Sequence, residues 1–263
     1  MKDDFDRYLK FAVRIAQESG RIQMASYGRV KKIRFKGEIN LVTEVDKRCE
    51  AMIIKNIRKN FPDHDILAEE SGKARESGSD YKWIIDPLDG TTNYSHSYPL
   101  FCTSIGLEYR GKVIVGVVFE PNLRELFYAV RGKGAFLNRR RIHVSKIAKL
   151  RRALVSTGFA YNVQEVKSNN LDHFQNFIMT SQAVRRDGVA ATDLCYVACG
   201  RFDGFWEINL FPWDVAAGSL IVEEAGGAVS HFDGSSLDIY GKEIVANNGR
   251  IHRAMIEVLN GKY

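Results

Sequence analysis

The sequence predicts a protein of stacked helix and sheet layers, α+β in its first half and α/β in its second. Three patterns support this fold class: helical periodicity near the N-terminus, consecutive short apolar runs joined by turns, and a later alternation of strand and helix patterns. With 263 residues and 45% hydrophobic content, the chain can bury a substantial core without disulfides. No Pro-rich or Ser-rich linker divides it. We therefore expect a single domain over residues 1–263, with sub-lobes of about 1–150 and 151–263.

Two helices are expected near the N-terminus. Apolar residues recur at helical spacing over 3–27, which predicts an amphipathic helix. Thr43 can cap a second helix over 44–60, which Pro62 ends. The polar stretch 31–40 between the two helices is expected to form a loop or a hairpin.

Strand and helix patterns divide the remainder of the chain into two parts. Consecutive hairpins in the first part imply an antiparallel sheet, whereas the alternation in the second is typical of a sheet covered by helices. The predicted strands are 65–68, 81–85, 101–109, 112–119, 125–130, 153–157, 202–208 and 243–247. The predicted helices of the second part are 171–181, 190–198, 215–224 and 251–259.

The charge distribution favours anionic ligands without identifying one. There are 38 Lys and Arg against 32 Asp and Glu, a net charge of +6, and this excess mildly favours ligands such as phosphate esters. The basic clusters at 31–32 and 139–141 stand beside turn residues, a pattern that is typical of solvated loops. A nucleic-acid or ligand patch is the alternative interpretation of both clusters.

The cysteines and the hydropathy pattern indicate a cytoplasmic protein. Cys49, Cys102, Cys195 and Cys199 lie in apolar or helical segments, and no His completes a zinc set, so buried thiols are expected. The acidic, amphipathic N-terminus does not resemble a secretory leader. No apolar run approaches the roughly 18 residues that a membrane span needs.

The segment WIIDPLDGTTN, residues 83–93, carries the most informative pattern in the chain. Pro87 cannot donate to a central strand ladder, so the strand is expected to end there, with Asp86 and Asp89 at its carboxyl end. Ligand sites of α/β sheets lie at such ends. The amides of residues 90–92 can open a helix and hold a phosphate oxygen. Carboxylates beside free amides predict a site for a metal ion together with phosphate.

Further acids follow comparable strand and helix ends. Glu69 and Glu70 come directly after the strand 65–68, Asp214 precedes the helix 215–224, and Asp46 follows Val42 and Thr43. Carboxylates without a soft ligand select a hard cation, so Mg²⁺, or else Mn²⁺, is expected rather than Zn²⁺. The structural alternative is that Asp86 merely ends a strand and that Asp89 is only an N-cap.

Two further segments support a ligand site. PWDVAAGSLIVEEAGG, residues 212–227, places Asp214 at a helix start and small residues along the helix, with a double glycine as its stop. A third helix start at 188–190 follows a strand that carries Arg185 and Arg186. Amides and guanidinium groups there can reach one ligand, or the arginines can form surface ion pairs.

In order and spacing, these two segments resemble the signature motifs of the inositol monophosphatase family. The resemblance implies the layered αβαβα sandwich of the sugar phosphatases, a homodimer, Mg²⁺ dependence and sensitivity to lithium. It assigns metal ligation to Glu69, Asp86, the Leu88 carbonyl, Asp89 and Asp214.

The resemblance also assigns roles beyond the metal ligands. It places Asp46, Glu69 and Thr91 in water activation and Gly90 and Thr91 in phosphate binding. It gives the substrate's remaining contacts to Asp89, Gly188, Val189, Ala190, Glu207 and Asp214, and the guanidinium of Arg185 beside the helix start at 188–190 adds a further candidate contact. Lys36 is expected in a mobile loop beside the site. Val189 departs from the small hydroxylated residue that is common in the family, and Asp187 adds an acid, so the identity of the polyol stays open.

The expected function is Mg²⁺-dependent release of phosphate from myo-inositol monophosphate or a related polyol or sugar phosphate, by attack of a metal-activated water. The alternatives within the same chemistry are fructose 1,6-bisphosphate, an adenosine bisphosphate and NADP, with Arg185, Arg186 or the cluster 139–141 serving a second phosphate. An alternative of another class is a binding partner of RNA or the transcription machinery. The sequence has no GxxxxGK[ST], GxGxxG or HExxH pattern for other enzyme classes.

Overall fold

Two amphipathic helices form one outer layer of the molecule. They are α1 (Phe5–Ser26) and α2 (Glu44–Asn60), and both agree with the predicted helices to within two residues at each end. Between them, β1 (Ile33–Phe35) and β2 (Leu41–Thr43) pair antiparallel, which favours the hairpin over the loop. The computed structural model describes residues 5–28, 33–35, 41–75, 77–161, 163–166 and 169–262, so Lys36 and the basic pair 31–32 lie outside the described residues.

An eight-stranded sheet lies beneath α1 and α2. Its strands are β3 (Asp65–Ala68), β4 (Gly72–Arg75), β5 (Tyr81–Asp89), β6 (Cys102–Tyr109), β7 (Lys112–Glu120), β8 (Glu125–Val130), β9 (Gly134–Leu137) and β10 (Arg140–Arg141). Their order across the sheet is β10-β9-β8-β7-β6-β5-β3-β4. Every neighbouring pair is antiparallel except β3 and β5, which run parallel. The antiparallel character follows from the short hairpins that the sequence predicted.

The predicted end of β5 at Pro87 is wrong, because the strand continues to Asp89. Asp86 pairs with Ser104 and Asp89 with Cys102, so one extra residue is accommodated in a β-bulge between the two acids. Proline is tolerated at a bulge because no ladder donor is needed there. The Pro87 carbonyl accepts a hydrogen bond from Gln23 Nε2 at 2.8 Å, which explains why α1 buries a polar side chain. After the bulge, the short helix α3 (Thr91–Ser95) begins.

The second half of the chain forms a five-stranded mixed sheet with helices on both faces. Its elements are β11 (Leu154–Thr157), α4 (Leu171–Thr180), β12 (Ala183–Arg185), α5 (Ala190–Ala198), β13 (Gly204–Ile208), α6 (Pro212–Glu224), β14 (Ala228–Ser230), β15 (Glu243–Asn247) and α7 (His252–Leu259). The strand order is β12-β11-β13-β15-β14. β12, β11 and β13 are parallel, whereas β15 is antiparallel to both of its neighbours.

Helices α5 and α6 form the middle layer between the two sheets. One continuous apolar cluster joins Ile84 of the first sheet to Phe205 of the second through Leu194 of α5. On the first sheet, a Cβ at Gly116 would lie 2.6 Å from the Ala217 carbonyl oxygen, so the glycine lets α6 approach the strand closely. A separate cluster packs α4 and α7 on the outer face of the second sheet. The layers therefore stack as αβαβα, which confirms the predicted fold class.

Two smaller expectations concern the cysteines and membrane association. All four cysteines are free thiols; Cys49, Cys102 and Cys195 are buried, and Cys199 is half-buried. In the part of the chain that the structure describes, no helix combines the length and the apolar character that spanning a membrane requires.

Candidate functional site

The bulge of β5 places Asp86 in a buried position next to other acids. Its Oδ1 accepts a hydrogen bond from the Leu88 amide at 2.9 Å. Burial raises the pKa of Asp86 well above its usual range, and the charges of Glu69, Asp89 and Asp214 raise it further. The structure therefore brings together four of the five predicted metal ligands, and the fifth, the Leu88 carbonyl, belongs to the same bulge.

Glu69 reaches Asp86 because β3 runs parallel to β5. The Glu69 amide donates to the Ile85 carbonyl at 3.1 Å, which extends the pairing of the two strands by one residue. The Glu69 and Asp86 carboxyl groups are within hydrogen-bonding reach of each other. Two carboxyl groups in such contact need a shared proton or a cation between them.

Asp89 and Asp214 are both held by backbone amides. Asp89 Oδ2 accepts from the Ala191 amide at 2.8 Å, at the start of α5. Burial nevertheless raises the pKa of Asp89 to about 7, against the lowering effect of the amides of Ala191, Gly90 and Ala190. Asp214 Oδ2 accepts from the Phe211 amide at 2.7 Å and so caps α6. Burial and the charge of Asp89 raise the pKa of Asp214 as well, so Asp214 both caps its helix and faces the acidic cluster.

Thr91 and Asp46 form a buried pair beside the bulge. Thr91 Oγ1 donates to Asp46 Oδ1 at 2.9 Å, and it also lies 3.1 Å from the Leu88 carbonyl oxygen. Asp46 comes from the first turn of α2, so the pair connects the outer helix layer to the start of α3. Two of the side chains that the resemblance places in water activation are therefore in direct contact.

Gly90 makes the transition from the bulge into α3. Its φ of 92° lies in the left-handed region. A Cβ on Gly90 would stand 2.8 Å from Val189 Cγ2 and 3.2 Å from the Leu100 carbonyl oxygen. Both the conformation and the lack of space therefore require glycine here.

The predicted polyol contacts lie around Glu207. Burial raises the pKa of Glu207 to about 8, with Asp89 adding to the rise and Arg186 opposing it. Of the segment 188–190, the Ala190 amide acts on Asp89, whose charge in turn acts on Glu207. Arg185 is exposed and donates to the Val184 carbonyl, and among the described residues no contact joins it to the carboxylate cluster. The charge of Arg186, rather than that of Arg185, acts on the site.

Two residues near the site were missed by the sequence analysis. Asp193 is 1% exposed, and its Oδ1 has no hydrogen-bond partner among the described residues. Burial, with the charges of Asp187, Glu207 and Asp89, raises its pKa. The sequence alone does not distinguish Asp193 from other acids in the first turn of a helix. The second, Tyr161, meets Thr92 at the mouth of the site, and no sequence pattern marks it.

The donor set fits a hard cation. The converging groups are carboxylates and a carbonyl, with no cysteine or histidine among them, and such sets suit Mg²⁺ or Mn²⁺ better than Zn²⁺. A cation bound between the Glu69 and Asp86 carboxylates would relieve the repulsion between their charges. Within the described ranges, however, no three His, Cys, Asp or Glu side chains are already spaced as ligands of one ion. Each of Asp86, Asp89 and Asp214 instead gives one oxygen to a backbone amide.

Comparison with known proteins identifies the relatives of this fold and site. Residues 4–262 match the model of the inositol monophosphatase family. An inositol-1-monophosphatase from Synechocystis sp. is 46% identical over 97% of this chain and 90% of its own. The Nus factor SuhB of Escherichia coli K12 is 42% identical over 94% of each chain. The structure of an inositol monophosphatase from Anabaena sp. has a TM-score of 0.90 at 44% identity, covering 98% of this chain and 97% of the other.

The layered fold and its buried cluster of acids are those of a phosphatase acting on phosphate monoesters. The chain belongs to the inositol monophosphatase family, which confirms the resemblance carried by its two motifs.

Proposed function

We propose that this protein hydrolyses myo-inositol monophosphate or a closely related polyol phosphate with Mg²⁺ as cofactor. The observation that carries the proposal is the buried Thr91–Asp46 hydrogen bond, 2.9 Å long, next to the carboxylates of Glu69 and Asp86. A hydroxyl that is oriented by a buried carboxylate can hold a water in the alignment that attack requires.

The residues proposed to hold Mg²⁺ are Glu69, Asp86, the Leu88 carbonyl, Asp89 and Asp214. When bound, the metal supplies positive charge that stabilises the phosphoryl transition state and acidifies a water. Mn²⁺ is the alternative ion for the same oxygen donors.

The chain's own groups orient the water and the phosphate. Because Asp46 accepts the hydrogen of Thr91 Oγ1, the lone pairs of that oxygen can accept a hydrogen bond from a water. Asp46 can then take up a proton through the Thr91 hydroxyl. The amides of Gly90 and Thr91, at the left-handed turn that leads into α3, are the proposed donors to a phosphate oxygen.

The acids around Glu207 favour a neutral polyol as the rest of the substrate. Asp89, Glu207 and Asp214 can accept hydrogen bonds from ring hydroxyls, and residues 188–190 are proposed to contact the same polyol. A second phosphate here would meet several carboxylates and only the partly opposing charge of Arg186. This balance places inositol monophosphate ahead of fructose 1,6-bisphosphate, an adenosine bisphosphate or NADP.

The experiment is phosphate release from inositol 1-phosphate, fructose 1,6-bisphosphate, adenosine 3′,5′-bisphosphate and NADP, each with Mg²⁺, with Mn²⁺ and with EDTA. We expect metal-dependent release with the highest kcat/KM on inositol 1-phosphate. Higher kcat/KM on a bisphosphate would contradict the substrate, and equal rates in EDTA would contradict the metal. Adding LiCl to the same assay tests the proposed lithium sensitivity, for which we expect inhibition at millimolar concentrations.

We also propose a homodimer in the cytoplasm. The exposed side of α4 carries three large apolar side chains, Leu171, Ile178 and Met179, which are 53, 52 and 69% exposed. Exposed apolar groups on one helix face are typical of protein interfaces. Light scattering coupled to size-exclusion chromatography is expected to give twice the 29.8 kDa mass of the chain. Fractionation of cells is expected to recover the protein with the cytosol.

A second function, in transcription, is favoured by the names of some relatives. Besides the Escherichia coli protein, a 42% identical relative from Pseudomonas aeruginosa is named Nus factor SuhB. We propose an additional association with the transcription machinery or its RNA. A pull-down with purified RNA polymerase should retain both the wild type and Asp86→Asn. Loss of binding together with catalysis would argue against an independent binding role.

A further inference from the structure

Residues 158–161, which follow β11, form a wall along the site. At one end, Gly158 lies so close to the Glu207 carboxylate that no Cβ fits between them. At the other end, the Tyr161 hydroxyl meets Thr92 in the first turn of α3. The wall therefore runs from the acid proposed for the polyol to the helix start proposed for the phosphate.

The wall is fixed by buried contacts that do not involve Tyr161. Asn170, 3% exposed, donates from Nδ2 to Thr157 Oγ1 and to the Gly158 carbonyl, both at 2.8 Å. Its Oδ1 accepts from Trp206 Nε1 at 2.8 Å. The Phe159 ring packs edge-on against Phe174 of α4, with the centroids 5.6 Å apart. Residues 158 and 159 are thus held in place without any contribution from the Tyr161 hydroxyl.

The Tyr161 hydroxyl lies between the carboxylates and the start of α3. Its Oη is 3.4 Å from Thr92 Oγ1, and either hydroxyl can donate in this contact because both can rotate. When Thr92 Oγ1 is the donor, the phenol hydrogen can be offered to a ligand. The residue is 44% exposed, yet burial of its hydroxyl raises its pKa to about 12, and Glu69 contributes most to this rise among the carboxylates. The phenol therefore remains a neutral donor at physiological pH.

We propose that Tyr161 is a substrate-binding residue that donates a hydrogen bond from Oη to a non-bridging oxygen of the phosphoryl group. This inference rests on the proposed function, because it needs a phosphate held at the start of α3. A neutral donor suits this position: it adds a hydrogen bond to an anionic group without placing a further charge among the carboxylates. In this arrangement Thr92 donates to the phenol oxygen and the phenol donates to the phosphoryl group.

The test compares Tyr161→Phe with the wild type and with Tyr98→Phe. Tyr98 is 52% exposed and makes no side-chain hydrogen bond among the described residues, so it is a matched control for loss of a hydroxyl. Loss of one hydrogen bond to a charged group is expected to lower kcat/KM for inositol 1-phosphate about tenfold. The dissociation constant of inorganic phosphate, titrated calorimetrically at saturating Mg²⁺, should rise by a similar factor. Tyr98→Phe should match the wild type, and all three proteins should share one Tm.

Phosphate binding decides the assignment. A fall in kcat/KM with unchanged phosphate affinity would overturn it, because the hydroxyl would then act on the polyol or the metal. Unchanged values of both quantities would overturn it too. If the wild type releases phosphate from none of the esters, the proposed function fails instead, and the calorimetric comparison with inorganic phosphate still decides the role of Tyr161.

Discussion

At the scale of single residues, the site is defined by acids whose burial side by side costs free energy. Asp86 is buried, and three other carboxylates raise its pKa in this arrangement. A folded protein keeps such a cluster only where a proton or a cation balances it. The acids therefore do not stabilise the fold by themselves. Binding of a cation explains why they lie together.

Asp86→Asn should lower the turnover number at least ~100-fold, by analogy with the loss of one preorganised transition-state donor. The turnover number is measured from phosphate release under saturating Mg²⁺. Asp80→Asn is the matched control, because Asp80 lies on the surface in an ion pair with Arg110 at 2.9 Å. Near-wild-type turnover of Asp86→Asn with unchanged metal content would refute the assignment.

A second residue-scale prediction concerns His64, which lies outside the site. Its Nδ1 accepts from Trp83 Nε1 at 3.1 Å, and its ring stacks on Tyr81 with the centroids 4.6 Å apart. Burial lowers the pKa of His64 to about 4, so the folded protein keeps it neutral where the unfolded chain, with a pKa of about 6.5, binds a proton. The contribution to stability is complete above pH 6.5 and is lost as the pH falls towards 4.

The acids of the site act in the opposite direction over this pH range, because burial raises the pKa of Asp89 and Glu207, so the prediction concerns the difference between proteins. Between pH 6.5 and 4, the urea midpoint of the wild type should fall relative to that of His64→Gln, which retains an acceptor for Trp83, while His96→Gln, a change at an exposed histidine, should follow the wild type. The pH dependence that all three proteins share also includes His173 and His252, whose pKa burial lowers. Parallel slopes for the wild type and His64→Gln would show that His64 carries none of the effect.

At the scale of elements, the long periodic segments were predictable and the irregular ones were not. Helices α1 and α2 carry enough helical turns for their apolar periodicity to be read from the sequence. The short edge strands β4 and β14 carry only three or four residues, and pairing with a neighbour rather than their own pattern defines them. The bulge in β5 could not be predicted from the sequence, because Pro87 indicates the end of a strand unless the pairing with the neighbouring strand is known.

The contact between β7 and α6 allows a graded test of packing. Gly116→Ala places a Cβ 2.6 Å from a backbone oxygen of Ala217, whereas Gly106→Ala, on β6, places it 3.0 Å from the Ala216 Cβ. Overpacking of this kind typically costs about 1–3 kcal/mol. Urea unfolding should therefore rank Gly116→Ala as less stable than Gly106→Ala, and Gly106→Ala as less stable than the wild type. The reverse order would mean that α6 shifts freely over the sheet.

At the scale of the whole molecule, the middle helix layer joins what the sequence divides into two sub-lobes. We propose that the sub-lobes at 1–150 and 151–263 fold as one cooperative unit, because one apolar cluster passes from the first sheet through α5 and α6 to the second. Asp86 and Glu69 come from one sub-lobe and Asp214 from the other. The sequence located these acids but not their convergence, since only the packing of α6 against the first sheet brings Asp214 to the bulge.

This cooperativity can be measured with the chain's 3 tryptophans. Trp83 lies in the cluster under α1, Trp206 in the cluster under α4 and α7, and Trp213 at the start of α6. Replacing Trp213 and Trp206 by Phe leaves Trp83 as the reporter for the first sheet. Replacing Trp213 and Trp83 by Phe leaves Trp206 as the reporter for the second. In each variant, tryptophan fluorescence and far-ultraviolet circular dichroism should give superimposable urea transitions. Separate transitions would establish two independently stable sub-lobes.

Asp214 follows the other acids by more than a hundred residues, and this separation bears on biosynthesis. A chain emerging from the ribosome completes its first sheet, with Glu69, Asp86 and Asp89, long before α6 is made. Until then the strand face around Gly106 and Gly116 has no helix to cover it, and the acids lack their last member. If Asp214 acts as proposed, hydrolysis requires translation through α6, and a product truncated before residue 214 is expected to be inactive however well its first sheet has formed.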